Sequence, residues 1–279
     1  MSLTFGEKLG QLEGSKRLCV GIDPHQSTLS AWGCEDDQAG LSRFSETLVE
    51  QCVAAGVAMI KPQVALFERH GIAGMTVLAE TISHARDAGV LVIADVKRGD
   101  IGTSLAGYAD AWLGRGSDWE SDAMTAVAYQ GVGSLEPAFS VAAEEGKGVF
   151  VLAATSNPEG WSLQSALTHD GESVAQRISE ELGQRAKRAP RSRDGWLGLV
   201  VGATVNREEV GLSDETLQQL PLLVPGFGAQ GVGLSEVRAR FGGLAHAVIP
   251  TVSRSVAGED PAGVADRIAA HQAELDSVW

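Results

Sequence analysis

VLVIADVKRGDIGTS, residues 90–104, passes from a buried strand to a charged cluster and then to the start of a helix. Its opening residues, 90–94, are all apolar and suit a strand that is buried on both faces. Asp95 and Lys97 are two positions apart, so on an extended strand both side chains point into one cavity. Asp100 lies past a glycine, where the chain has turned. Such charges are costly unless they are paired or used, so the segment is either a surface salt bridge with a turn or a functional site.

Strand-like and helix-like segments alternate along the rest of the chain. Alternation indicates a parallel sheet, and eight pairs in one domain over residues 1–279 predict a (β/α)8 TIM barrel. The alternative is a doubly wound sheet, whose nucleotide-binding form carries Gly-x-Gly-x-x-Gly after its first strand, where this chain has Gly-Ile-Asp-Pro-His. The predicted strands are 18–23, 58–62, 90–97, 123–129, 148–155, 197–204, 222–226 and 245–252. The predicted helices are 44–55, 76–88, 104–113, 135–145, 173–188, 206–219, a short one from 234, and 261–276.

Composition limits the partners and the compartment of the chain. The net charge of −14 argues against nucleic acid and anionic membranes as partners. No apolar run approaches the ~18 residues that a membrane span needs, and the N-terminus lacks the pattern of a secretory signal. The cysteines are three in number and have no metal-ligand spacing, which suggests free thiols in a reducing cytoplasm. We therefore expect a cytoplasmic protein whose site supplies its own cations for any anionic substrate.

Polar residues occur at the predicted carboxyl ends of six strands. Chemistry in a barrel lies at these ends, so their convergence predicts one binding site. We interpret His25, close to the end of the first strand, as a loop residue, with the alternative that it lines the site, and assign no chemistry to the other histidines. The strand-end residues are Asp23, Lys61, Asp95 with Lys97, the segment 155–158, the segment 225–231, and the segment 253–255.

The loops after strands seven and eight have the composition of a phosphate site. Residues 225–231, Pro-Gly-Phe-Gly-Ala-Gln-Gly, leave backbone N–H groups uncovered by side chains, and a short helix is predicted just beyond. Exposed amides and a helix N-terminus attract phosphate, and barrels commonly bind one at this position. Arg254 can add a bidentate positive charge, and Gln230 can donate from its amide. The alternative interpretation is a glycine-rich turn that only reverses the chain.

The charged cluster also resembles a known active site. Asp95-x-Lys97-x-x-Asp100-Ile is similar to the signature of orotidine 5′-phosphate decarboxylases, and the form Asp-x-Lys-Arg-Gly-Asp-Ile-Gly resembles the longer bacterial subgroup of that family. The loops after strands five, seven and eight match the family in the right order. The resemblance implies decarboxylation of orotidine 5′-phosphate to uridine 5′-phosphate without a metal or cofactor. It also implies a homodimer in which the second aspartate of the motif reaches the neighbouring subunit's site.

The resemblance implies a role for each candidate residue. Lys97 would stabilise and protonate the carbanion at C6 of the pyrimidine, and Asp95 would crowd the substrate carboxylate. Lys61 and Asp100 would complete an alternating chain of charges that keeps Lys97 protonated. Asp23 and Lys61 would hold the ribose hydroxyls. The remaining substrate-binding candidates are Ser104, Ser156 at the pyrimidine edge (or, alternatively, an N-cap), Gly228, Gln230 and Arg254.

Two other functions stay open at this point. Related barrels share the Asp-x-Lys-x-x-Asp strand end and use Mg²⁺ on sugar phosphates, as decarboxylases or aldolases. They would need an acidic ligand at the end of strand two, where this chain has Lys61, and lysine does not bind Mg²⁺. A barrel that binds a phosphometabolite without catalysis would not need Asp95, Lys97 and Asp100. The sequence assigns no function to residues 1–16 or 112–119.

Overall fold

The computed structural model describes residues 3–188, 195–229 and 231–279, and its strands form one closed parallel barrel. The strands pair in chain order, and β8 pairs back with β1 to close the barrel. The predicted (β/α)8 fold is therefore confirmed. The strands are β1 Cys19–Ile22, β2 Met59–Pro62, β3 Leu91–Arg98, β4 Ala123–Ala126, β5 Gly148–Ala154, β6 Leu197–Val201, β7 Leu222–Pro225 and β8 Val248–Val252.

The α-helices and short 3₁₀ turns surround the barrel and fill its connections. The α-helices are α1 Phe5–Gly10, α2 Gln26–Ala31, α3 Gln38–Ala54, α4 Ala65–Glu68, α5 Gly71–Asp87, α6 Gly102–Leu113, α7 Glu136–Glu145, α8 Trp161–Gln164, α9 Val174–Arg188, α10 Asp214–Leu217, α11 Val237–Phe241, α12 Arg254–Ala257 and α13 Val264–Asp276. The 3₁₀ turns described are Gly14–Arg17, Val132–Leu135, Pro158–Gly160, Leu234–Glu236 and Gly242–Ala247. None of the described helices is long and apolar enough to cross a membrane.

The strands are buried on both faces, which is why they appear in the sequence as continuous apolar runs. One apolar cluster fills the space between the barrel and the helices, and a smaller one fills the barrel interior. The interior cluster lies below the site because the inward-facing side chains of the strands stack in layers. Its strand members are Cys19, Met59, Leu91, Ile93, Ala123, Phe150, Val200, Leu223 and Ile249.

Helix α1 seals the N-terminal end of the barrel, a role that the sequence did not predict. Phe5 and Leu9 are buried in the interior cluster, and Phe5 meets Phe150 edge-to-face with ring centroids 5.9 Å apart. Thr4 begins the helix with a capping box, since its hydroxyl accepts from the Glu7 N–H and the Glu7 carboxylate accepts from the Thr4 N–H. The N-terminal segment thus supports the floor on which the site is built.

Several predicted elements were wrong in extent: strands β4 and β6 end three residues earlier than predicted, and helices α3 and α5 begin six and five residues earlier. Two further errors have a visible cause. The helix predicted over 206–219 is reduced to α10, because Gly211 has a φ of +69° and Ser213 caps a new helix start at the Thr216 N–H. Strand β8 begins at Val248, three residues later than predicted, because Gly242–Ala247 forms a 3₁₀ turn. These two errors lie at the start of elements, where local turns compete with helix and strand hydrogen bonds.

Candidate active site

An open cavity of about 480 Å³ lies at the carboxyl ends of the strands. The parallel closed barrel brings all these ends to one rim, which is why residues far apart in the chain meet there. The titratable residues that line the cavity are Asp23, His25, Lys61, Asp95, Lys97 and Arg254. The predicted convergence of strand-end residues is thus found, and His25 also lines the cavity, which was the alternative to its interpretation as a loop residue.

Asp95 is the centre of a charge cluster on the cavity floor. Its Oδ2 accepts from Lys61 Nζ at 2.8 Å and from Gln63 Nε2 at 2.8 Å. Its Oδ1 lies 2.7 Å from Lys97 Nζ and accepts from Thr125 Oγ1 at 2.9 Å. Asp95 and Lys61 are only 8% and 5% exposed. One carboxylate therefore holds two ammonium groups, and both of its oxygens are saturated with donors.

Burial and charge act in opposite directions on this cluster. Burial raises the pKa of Asp95, but the Lys61 and Lys97 ammonium groups outweigh it and hold that pKa well below its usual range. Burial lowers the pKa of Lys61, but the carboxylates of Asp95 and Asp23 outweigh it and hold that pKa above its usual range. Asp95 and Lys61 are therefore both charged at neutral pH, and they form an ion pair that is shielded from water in the cavity floor.

Lys97 reaches the cavity through an unusual backbone conformation. Its φ of +47° makes it the one non-glycine residue with positive φ in the described part of the chain. The prediction that Asp95 and Lys97 enter one cavity holds, but alternation along a regular strand is not the reason. Positive φ is strained for lysine and occurs chiefly where the surrounding structure imposes it, often at functional sites.

Asp23 faces the cavity with an unused acceptor. Its Oδ1 is buried and has no hydrogen-bond partner among the described residues. Buried carboxylate oxygens are normally hydrogen-bonded, so this atom is available to a ligand hydroxyl. Gly21 makes room for the arrangement, because a Cβ there would lie 2.8 Å from Ser253 Cβ and 3.1 Å from Asp23 Oδ1.

The loops after β7 and β8 form the opposite wall of the cavity. Gly226, Ala229 and Arg254 line it, and Arg254 is exposed at the first residue of the short helix α12. Gly228 has a φ of +75°, and a Cβ there would lie 2.5 Å from Ser255 Oγ, so only glycine fits. Gln230, predicted as a phosphate ligand, lies outside the described residues. Backbone and guanidinium groups on this wall can bind a phosphate.

Four of the predicted site residues that the structure describes do not line the cavity of their own chain, and Gly228 is one of them, although its neighbours Phe227 and Ala229 do line it. The Asp100 carboxylate accepts from the N–H of its chain neighbour Ile101 at 2.8 Å. Ser104 is exposed on α6, and Ser156 is exposed just after β5. Ser156 is not an N-cap either, because Asn157 occupies the N-cap position of the 3₁₀ turn that follows. The single chain therefore brings together the residues of the floor and Arg254 of the phosphate wall, but not these four.

Sequence reasoning missed two residues that contact the charge cluster. Gln63 lies two positions after Lys61, so strand alternation could have placed both on one face. Its Oε1 accepts from Lys97 Nζ at 3.3 Å. Thr125 is the one polar residue of β4 and is only 1% exposed, and a hydroxyl inside an apolar strand is a signal that a partner is near. Within the part of the chain that the structure describes, histidine, cysteine and acidic residues nowhere form a metal-ligand group of three.

Comparisons with known proteins agree with this geometry. A family model described as orotidine 5′-phosphate decarboxylase / HUMPS family matches residues 16–268. An orotidine 5′-phosphate decarboxylase of Salinispora tropica is 47% identical over 276 residues, with 96% of each chain covered, and one of Corynebacterium glutamicum is 45% identical over 281 residues, with 98% of each covered. The crystal structure of a candidate orotidine 5′-phosphate decarboxylase from Streptomyces avermitilis superposes with a TM-score of 0.90 at 43% identity, covering 99% of this chain and 96% of that one. The chain therefore belongs to the orotidine 5′-phosphate decarboxylase / HUMPS family.

Proposed function

We propose that this protein decarboxylates orotidine 5′-phosphate to uridine 5′-phosphate and carbon dioxide, the last step of de novo pyrimidine synthesis. The observation that carries the proposal is the Lys61–Asp95–Lys97 cluster on the floor of a cavity whose opposite wall can bind phosphate. Lys61 and Asp95 are buried in it, and Lys97 is exposed to the cavity. A phosphorylated substrate that develops negative charge at its other end fits this arrangement. The names of the Salinispora tropica and Corynebacterium glutamicum relatives point to the same reaction.

The difficulty of the reaction is the carbanion that remains when carbon dioxide leaves C6 of the pyrimidine. The electron pair of the broken C–C bond stays on C6, and no adjacent carbonyl delocalises it simply. Fixed positive charge can stabilise it, and it does so best where water is excluded. The Lys97 ammonium supplies that charge and then gives a proton to C6, which forms the C–H bond of the product. The neutral amine regains its proton from solvent through the open side of the cavity.

Asp95 and Lys61 prepare Lys97 for this role. The Asp95 carboxylate holds the Lys97 ammonium at 2.7 Å. It also faces the substrate carboxylate, and the repulsion between the two carboxylates favours the loss of carbon dioxide. In the free enzyme, the Lys61 ammonium offsets the negative charge of Asp95, with Lys61 Nζ 2.8 Å from Asp95 Oδ2. Asp23, with its unused Oδ1, and Lys61 bind the ribose hydroxyls.

Contacts far from C6 hold the rest of the nucleotide. Arg254, Gln230 and the backbone at Gly228 bind the phosphate, and Ser156 binds the pyrimidine edge when its loop closes over the base. Binding energy from the phosphate then contributes to closure and orientation at the reacting carbon. No metal or cofactor has a part in this scheme.

We further propose that the active unit is a homodimer with shared sites. Asp100 and Ser104 do not line their own cavity, and a second chain could use them in its site. Ile101 and Tyr129, after the neighbouring strands β3 and β4, are 62% and 79% exposed, as expected for large apolar side chains that a partner covers. A two-fold dimer is the simplest closed assembly in which each site receives the same residues from the partner chain.

Mixing two inactive variants tests the shared site. We expect Lys97→Ala and Asp100→Ala to be nearly inactive as homodimers. After subunit exchange half of the dimers are hybrids, in which one site holds both defects and the other holds neither. Roughly a quarter of wild-type activity should therefore return. If hybrids form and activity does not return, Asp100 serves its own subunit.

A Mg²⁺-dependent reaction on a sugar phosphate is the alternative in a related barrel, and Lys61 stands where it would need an acidic ligand. Loss of the orotate chromophore, followed by absorbance with and without EDTA, separates the two reactions. We expect turnover of orotidine 5′-phosphate that survives chelation. Turnover that EDTA abolishes and Mg²⁺ restores would favour the alternative, and no turnover at all would favour a binding protein without catalysis.

We also propose that the protein works in the cytoplasm. All three cysteines, Cys19, Cys34 and Cys52, are buried free thiols, as a reducing compartment allows. The net charge of −14 gives nucleic acid and anionic membranes little attraction to its surface.

A further inference from the structure

The pairing of β3 with β4 is interrupted at the charge cluster. Ala94 pairs with Met124 and Arg98 pairs with Ala126, so the three residues 95–97 stand opposite one residue, Thr125. An insertion of this kind is a β-bulge, which bends the strand and can turn a side chain toward an active site. The strained residue, Lys97, lies inside this bulge.

The side chain of Thr125 makes the hydrogen bonds that the strand backbone cannot make there. The Lys97 N–H donates to Thr125 Oγ1 at 2.9 Å, and the same hydroxyl donates to Asp95 Oδ1 at 2.9 Å. Regular pairing resumes only beyond it, where the Val127 N–H donates to the Arg98 carbonyl at 2.9 Å. One buried hydroxyl thus uses both its acceptor and its donor within the cluster, as a buried polar group must.

We propose that the Thr125 hydroxyl is a positioning group that holds the bulge and thereby aims Lys97 at the reacting carbon. Without the hydroxyl, the Lys97 N–H, which is partly buried, would lose its acceptor, and the backbone would lose a contact that offsets its positive φ. Asp95 would also lose the donor beside the Lys97 ammonium. Thr125 does not line the cavity, so it acts through its two neighbours and not on the substrate. This inference rests on the decarboxylase function proposed above.

Replacing Thr125 with valine removes the hydroxyl at nearly constant volume, and replacing it with serine keeps the hydroxyl. A small displacement of a catalytic group costs about 100-fold in rate, so we expect Thr125→Val to lower kcat by about 10- to 100-fold. KM for orotidine 5′-phosphate should change little, because the phosphate wall is untouched. Thr125→Ser should recover most of kcat. A crystal structure of Thr125→Val should show Lys97 with negative φ.

Controls separate positioning from folding. Activity is expressed per site that binds uridine 5′-phosphate in a calorimetric titration, so unfolded protein does not contribute. If Thr125→Val fails to fold, Thr125→Ser and Thr125→Ala make the same comparison, because they differ only in the hydroxyl oxygen. A kcat of Thr125→Val or Thr125→Ala close to that of the wild type would overturn the inference, as would a serine variant as slow as the valine variant. A wild-type protein that leaves orotidine 5′-phosphate unchanged would instead overturn the proposed function.

Discussion

Replacing Asp95 with asparagine removes one charge from the cluster and leaves the size of the side chain almost unchanged. The carboxylate accepts from Lys61, Gln63, Lys97 and Thr125 at 2.7–2.9 Å. Asparagine has a single oxygen, and its NH₂ group would face some of these donors. The Lys61 ammonium, only 5% exposed, would lose its closest anion.

The expected loss of stability follows from burial. Removing one partner of a buried ion pair costs about 3–5 kcal/mol, because the other charge stays buried without compensation. At about 2.1 cal/mol/K per residue, the unfolding entropy of a 279-residue chain is about 0.6 kcal/mol/K. We therefore expect the Tm of Asp95→Asn to lie about 5–9 °C below that of the wild type at pH 7.

The pH dependence of that difference provides a second measurement. The pKa of Asp95 is lowered in the folded protein, so the folded state holds the carboxylate ionised where the unfolded chain would protonate it. Its contribution to stability is complete above the ordinary aspartate pKa of about 3.9 and is lost as pH falls toward the lower folded value. The Tm difference between wild type and Asp95→Asn should therefore be constant near neutrality and should narrow below about pH 4.

The control is Asp118→Asn, which neutralises an exposed carboxylate and should move Tm by less than about 1 °C. Differential scanning calorimetry of the three proteins gives both quantities. An Asp95→Asn Tm within about 2 °C of wild type would refute the argument that this carboxylate compensates the buried Lys61 ammonium. A higher Tm would show instead that the cluster stores strain for catalysis.

Three further predictions concern the cavity floor, the phosphate wall and helix α1, which seals the N-terminal end of the barrel. In steady-state kinetics, Lys97→Ala should lower kcat drastically, while Arg254→Ala should act chiefly on kcat/KM. A tenfold lower kcat corresponds to ~1.4 kcal/mol of transition-state stabilisation, so a Lys97→Ala enzyme that kept more than about a tenth of wild-type kcat would remove Lys97 from the mechanism. The raised pKa of Lys61 stabilises the fold below about pH 10.4, so the Tm difference between wild type and Lys61→Met should narrow as pH rises beyond that value. Phe5→Ala should leave a cavity in the core that costs about 3–5 kcal/mol of unfolding free energy, which corresponds to a Tm about 5–9 °C lower. Its kcat per active site should stay close to that of the wild type. The control Leu3→Ala, at a side chain that is 47% exposed, should change Tm little.

The order of the barrel strands could be predicted because the signal for each strand is local. A strand buried on both faces is a short apolar run between glycines, prolines and polar residues, and residues 148–154 and 197–201 have this form. The segment 206–219 misled the prediction because it has helix-forming residues, while Gly211 and the cap at Ser213 divide it. A local cap can outweigh the propensity of a whole segment.

The charged floor was predictable for a related reason. Lys61, Asp95 and Lys97 all stand at strand ends, and a closed parallel barrel gathers those ends at one rim. Gln63 was missed because an uncharged amide after a strand resembles an ordinary loop residue. Asp100 and Ser104 stay predictions, because their proposed contacts lie in a second chain.

The sequence by itself determined the eight strands, their parallel order and the identity of the charged residues, since each depends on patterns within a few positions. Only the tertiary structure decided how Lys97 is held. A lysine with positive φ is locally unfavourable, so no local pattern predicts it. The conformation persists because the hydroxyl of Thr125, 28 positions away on the next strand, accepts the Lys97 N–H. The buried charge of Asp95 depends likewise on Lys61, 34 positions away, because without that contact the cost of burial would neutralise the carboxylate.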